Sequence, residues 1–85
     1  MKKKAQIRTQ FNENVFKRDN FTCVMCSNPA VDAHHIISRD LFPDGGYNVN
    51  NGVSLCAECH ILAEKGEITP ETLREEAGIK VIYLP

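Results

Sequence analysis

"NGVSLCAECH", residues 51–60, places an asparagine, a short apolar run, a Cys-x2-Cys pair and a histidine in one continuous stretch. A second Cys-x2-Cys pair, Cys23 and Cys26, lies upstream, with 29 residues between the two pairs. Adjacent histidines stand between them in "DAHHII", residues 32–37. A chain of 85 residues buries only about 60% of the surface its unfolded state exposes, so an apolar core alone leaves it marginal. Some additional staple is expected, and the cysteines supply it either as disulfides or as metal ligands.

The opening "MKKKAQIRTQ" is basic but has no apolar run behind it, and no apolar stretch is long enough to cross a bilayer. The chain therefore reads as soluble, unexported, cytoplasmic and without a membrane partner. In that reducing compartment, two matched knuckles point to one structural Zn2+ held by Cys23, Cys26, Cys56 and Cys59. The other readings are a redox Cys-x-x-Cys, which wants a βαβ pattern that is absent, and buried thiols without a ligand, which leave the matched spacing unexplained.

Net charge is −1 and the sequence pI is about 6.3, which does not announce a nucleic-acid binder. The distribution says more. Residues 1–18 hold Lys2, Lys3, Lys4, Arg8, Lys17 and Arg18 against Glu13 alone, whereas 57–85 hold six acids against Lys65, Arg74 and Lys80. A basic front can contact phosphates without sequence preference, and it can equally be a solvated lysine-rich start.

No repeat or linker divides the chain, so it reads as one domain. In "IRTQFNENVFKRDN", residues 7–20, Ile7, Phe11, Val15 and Phe16 recur at helical spacing, and Lys17 and Arg18 complement the helix dipole before the Asp19-Asn20 stop. "FTCVMCSNP" (21–29) enters a knuckle turned at Ser27-Asn28-Pro29. "AVDAHHII" (30–37) reads as a strand, with a buried helical turn also compatible. "SRDLFPDGGYNVNNG" (38–52) reads as a long loop of the kind that carries function. "VSLC" (53–56) is a second strand, and "AECHILAEKG" (57–66) a helix closed by Gly66 with His60 and Glu64 on one face. In "EITPETLREEAG" (67–78) Thr69 is the N-cap, Pro70 the first helical residue, Ile68 and Leu73 a hydrophobic staple, and Gly78 the stop. The last residues, "IKVIYLP" (79–85), read as a strand or a cover for the core.

A zinc on the four cysteines ties the knuckle before the first strand to the start of the 57–66 helix, which brings His60 near His34 and His35. Three histidines that the zinc does not need, with Glu64 one turn beyond His60, suggest a second, open metal site able to hold a phosphate oxygen and water. The alternative is that these histidines are zinc ligands or surface residues.

The combination resembles the HNH nuclease superfamily. The likeness rests on "HH" at the end of a strand, a Gly-containing loop, then "NGVSLCAECH", with the lead-in "RDNFTCVMC", and it runs from about Arg18 to Gly66. It is closest to the subgroup braced by two Cys-x2-Cys knuckles. The resemblance implies an α+β fold: a small zinc-stabilised, treble-clef-like ββα-metal domain with flanking N- and C-terminal helices, residues 1–17 being the basic N-terminal helix and 67–85 the C-terminal helix and tail. It implies that His35 is the general base, that His34 and His60 bind a catalytic divalent metal (Mg2+, Mn2+, Ni2+ or Zn2+), and that Asn51 is the central asparagine. Many relatives have a further histidine four positions after the Cys-His pair. Here that position is Glu64, a candidate third ligand through its carboxylate.

The implied activity is endonucleolytic hydrolysis of DNA, double-stranded, by nicking or by cutting both strands. Small members resemble bacterial or phage-encoded components, so phage DNA processing with accessory protein partners is the implied setting. Lys17, Arg18 and Arg39 are candidate phosphate contacts, Arg39 equally an exposed loop residue. A reading from a different class is a non-catalytic zinc module that grips DNA or protein. The joint presence of His34, His35, Asn51 and His60 argues against it.

Overall fold

The computed structural model describes residues 4–41 and 46–80. Helix α1 (Lys4–Arg18) begins ahead of the expected Ile7, because lysine, alanine and glutamine extend a helix at little cost. Its buried seam is narrower than the apolar spacing suggests. Phe11 and Val15 are buried, Ile7 lies at the surface, and Phe16 turns aside to stack on Phe21 with ring centroids 6.2 Å apart. Asn20 and Phe21 take φ values of 55° and 58°, the left-handed region, and so end the helix where the Asp19-Asn20 signal places the stop.

Strand β1 (Asp32–His35) pairs antiparallel with β2 (Gly52–Leu55), with Asp32 opposite Leu55, His34 opposite Val53 and His35 opposite Gly52. The first strand is shorter than the expected 30–37 for a physical reason. Beyond His35 the ladder passes to Asn51, whose carbonyl accepts from the Ile36 N–H and whose side chain takes over at Ile37. The connection is not wholly loop, since 3-10 turns cover Arg39–Leu41 and Val49–Asn51. Residues 42–45 of that connection, and 81–85 of the tail, lie outside the described residues.

Helix α2 (Ala57–Glu64) follows β2 directly, so the expected strand residue Cys56 serves as its N-cap. Gly66, at φ 79°, follows the Lys65 cap. Helix α3 (Pro70–Glu76) is capped by Thr69, whose hydroxyl accepts from the Thr72 N–H, and Gly78 at φ 71° follows the Ala77 cap. Leu73 reaches the core, with Ile68 packed against it as the staple reading expects. That core joins Val53 and Leu55 of β2 to Cys23, Ile36, Cys56, Cys59, Leu73 and Ile79. The α+β architecture expected from the sequence, two antiparallel strands followed by a helix with a helix on each flank, is the one observed. No helix of the described residues is long and apolar enough to cross a membrane.

One brace locks α1 to this unit. The Arg18 guanidinium donates to both Asp19 carboxylate oxygens at 2.9 Å, to the Val49 carbonyl at 2.8 Å and to the Gly52 carbonyl at 2.6 Å. Asp19 in turn accepts the Ser54 N–H at 2.9 Å. Gly52 completes the fit by its lack of a side chain, because a Cβ there would stand 2.6 Å from Phe11 Cζ and from Val15 Cγ2. Gly52→Ala therefore has to push α1 off the strand and is expected to destabilise the zinc-loaded protein by about 1–3 kcal/mol in chemical denaturation. An unchanged midpoint would mean that α1 is not docked this way.

Candidate functional site

Cys23 and Cys26 come from the knuckle, Cys56 from the α2 N-cap and Cys59 from its first turn. Their sulfurs all lie within 4.8 Å of one another, and those of Cys26 and Cys56 are 3.5 Å apart. A tetrahedral Zn2+ with Zn–S bonds of about 2.3 Å holds sulfurs about 3.8 Å apart, so the cluster has the right size. Electrostatics point the same way. Burial raises the Cys23 thiol, but N–H groups of Cys56, Met25 and Cys26 more than reverse this and lower it to about 7. Burial and the neighbouring thiols push Cys59 far up. Four thiolates so close cannot coexist without a cation to neutralise them. The donor set fits a structural zinc, and none of the three histidines belongs to it.

A second group of potential ligands lies on the α2 side of β1. His34, His60 and Glu64 place one ligand atom each within 4.8 Å of the others. Glu64 Oε1 is 3.2 Å from His60 Nε2 and 3.6 Å from His34 Nδ1, separations that suit three ligands around one divalent ion with bonds of about 2.0–2.2 Å. Burial, then the neighbouring His60, hold His34 below the ordinary histidine value, which favours the neutral form that binds metal. Asp32, absent from the sequence reading, sits behind this group. Its Oδ2 is 2.9 Å from His60 Nδ1, a contact that leaves Nε2 to face Glu64 and His34. Its position two residues before His34, on the same strand face, is a signal that could have revealed it.

His35 points to the other face, as strand alternation requires. Its ring stacks on Phe11 at 4.6 Å and meets Tyr47 edge-on at 5.3 Å. Both histidines still border one open cleft of about 490 Å³, which also includes Ser38, Arg39, His60 and Glu64. His35 Nε2 is buried without a hydrogen-bond partner, a cost of about 1–3 kcal/mol that stability alone does not explain. Burial, then the Arg39 and His34 charges, lower the pKa of His35. Asn51 is buried and does not hydrogen-bond the His35 ring. Its amide accepts from the Ile37 N–H at 2.9 Å and donates to the Ile37 carbonyl at 3.0 Å and the Gly46 carbonyl at 3.3 Å, fixing the backbone that leaves His35.

The basic residues separate. Arg39 borders the cleft and donates to the Tyr47 hydroxyl at 3.0 Å. Arg18 has its guanidinium engaged in the brace on Asp19, Val49 and Gly52, and Lys17 is exposed on α1 away from the cleft. The sequence did not single out Tyr47, and it marked Arg8 only as one charge of the basic front; no local pattern joins the two, since they meet only through the fold.

Two outcomes follow. In an NMR titration of zinc-loaded protein, His35 is expected to titrate below the ordinary value of about 6.5, and Arg39→Gln is expected to move it back up by removing a like charge. A value above the ordinary one would contradict the described burial. Asp32→Ala is expected to weaken binding of the second ion by about 10–100-fold in calorimetry with the four-cysteine zinc retained. Unchanged affinity would remove Asp32 from the site.

Comparison with curated proteins and with solved structures found no match. The HNH endonuclease family model matches residues 23–66. That span opens at the first sulfur ligand and closes at the glycine ending α2, taking in both thiol pairs, the paired strands and the cleft histidines. With just over half its length matched, over the part that builds both ligand clusters, the chain belongs to the HNH endonuclease family.

Proposed function

We propose that the protein is a metal-dependent endonuclease that hydrolyses phosphodiester bonds of double-stranded DNA, with His35 as general base. The observation that carries this reading is the cleft itself. An imidazole kept neutral by burial and by Arg39 borders the same open space as a His34–His60–Glu64 ligand group. His34, His60 and Glu64 would hold a divalent ion, which would supply positive charge to the scissile phosphate and the departing oxygen.

The chain's own residues do the rest. His35 accepts the proton of the attacking water, a task suited to an imidazole that is unprotonated at neutral pH. Asn51 holds the Ile37 peptide on both sides, so the backbone after His35 cannot swing and the ring keeps its aim. Phe11 and Tyr47 clamp that ring from two directions. The phage setting and accessory partners implied by the resemblance belong to the same proposal.

The test is cleavage of supercoiled plasmid by zinc-loaded protein with Mg2+, Mn2+, Ni2+ or added Zn2+, beside His35→Ala of equal zinc content. Cutting is expected with at least one ion, to be lost on mild chelation while the fold and four-cysteine zinc persist, and to fall by about 100-fold or more in the variant. Plasmid that is bound but never cut, or equal rates in the two proteins, would falsify this reading, and the first result would favour a zinc-dependent binding module.

A further inference from the structure

We infer that Arg8, Tyr47 and Arg39 form a second phosphate site beside His35, which grips a phosphodiester of the DNA strand flanking the bond to be cut. The inference rests on the reading above of DNA as substrate. It starts from the convergence of three elements that the sequence keeps apart. Arg8 lies on α1 one turn before Phe11, Arg39 lies in the 3-10 turn after β1, and Tyr47 lies on the return toward β2.

Tyr47 is the hub. Its ring is held edge-on by Phe11 at 5.6 Å and by His35 at 5.3 Å, so its position is tied to that of the catalytic imidazole. Its hydroxyl accepts from Arg39 Nη1 at 3.0 Å, and Arg8, on α1, is the first cause that holds the phenol below its ordinary pKa, ahead of the opposing burial. Two guanidinium groups thus act on one phenol. Such a pair repels unless an anion lies against it.

Among the described residues neither Arg8 nor Arg39 has a carboxylate within ion-pair distance, whereas Arg18, the arginine that builds the fold, is paired with Asp19. Both remain exposed, and each planar fork has five N–H donors, so one bond to the phenol leaves donors for an outside acceptor. Paired forks on a rigid tyrosine suit the oxygens of a phosphodiester. Arg39 borders the cleft, which puts the gripped phosphate next to the one facing His35.

The test is binding of a short labelled duplex by fluorescence anisotropy across a range of salt concentrations, using zinc-loaded protein without added divalent ion so that no cutting intervenes. Arg8→Gln and Arg39→Gln are each expected to lower the slope of log K against log[salt] by about 0.9, one phosphate contact apiece. Tyr47→Phe, which keeps the ring against His35 but removes the hydroxyl, is expected to weaken binding. Arg74→Gln, whose side chain bonds the Lys80 carbonyl outside the cleft, is expected to leave the slope unchanged. Parental slopes in both Arg8→Gln and Arg39→Gln, with plasmid cutting by the parent intact, would overturn the second site and leave the nuclease reading standing. A parent that neither binds nor cuts DNA would overturn both.

Discussion

Repulsion among four sulfurs is the constraint on which the rest of the structure depends. Cys23 and Cys26 are separated from Cys56 and Cys59 by 29 residues of chain, yet the four sulfurs lie within 4.8 Å of one another. A cation held there would convert that repulsion into a tie, and in a small domain such a tie is folding energy. Its geometric effect matters as much. Cys56 is at once a member of the thiol cluster, the last buried residue of the strand run and the N-cap of α2, so a metal held by the cluster would set the angle at which α2 leaves β2. His60 follows the ligand Cys59, and its approach to His34 is inherited from that angle.

The other end of the strand pair is held by a different device. Arg18 and Asp19 form an ion pair in which the carboxylate is almost fully buried, with a side-chain exposure of 4%. Such pairs add little net stability, because desolvation offsets most of the attraction. What this one does is position. Its hydrogen bonds reach the Val49 and Gly52 carbonyls and the Ser54 N–H, so the C-terminal end of α1 is fixed on β2 by groups that accept one geometry. Phe11, carried by the same helix, then arrives against His35. The two histidines of one dipeptide are thereby served from opposite sides, His34 by α2, which starts in the thiol cluster, and His35 by the ion-pair-pinned α1.

This division explains how far the sequence could be read. The knuckles, the α3 caps, and the sharing of a face by His60 and Glu64 are local patterns, and local patterns survive without a fold. The extent of β1 did not, because the group that ends its ladder is the side chain of Asn51, remote in sequence. Gly52 was equally silent. Its φ of −131° is ordinary for any residue, and the need for glycine comes from the approach of Phe11 and Val15. Asp32 was legible in principle from strand alternation, but the meeting of Arg8 with Tyr47 was not, since the only thing they share is a neighbour that the fold supplies.

In the proposed metal site Glu64 would set the chemistry. Two imidazoles and a carboxylate carry one negative charge where three imidazoles would carry none, so a divalent ion held here would keep less net positive charge to offer a phosphate. The same substitution would admit harder, oxygen-preferring ions that an all-imidazole set would hold weakly. Glu64 is also an exposed side chain at the last turn of α2, with a side-chain exposure of 64%, whereas His34 is largely enclosed at 12%. The rigid members of the group are the two imidazoles, His34 by burial and His60 by its contact with Asp32. In the proposed site the carboxylate would be the adjustable member, able to follow ions of different size and coordination number without disturbing the strand that carries His35.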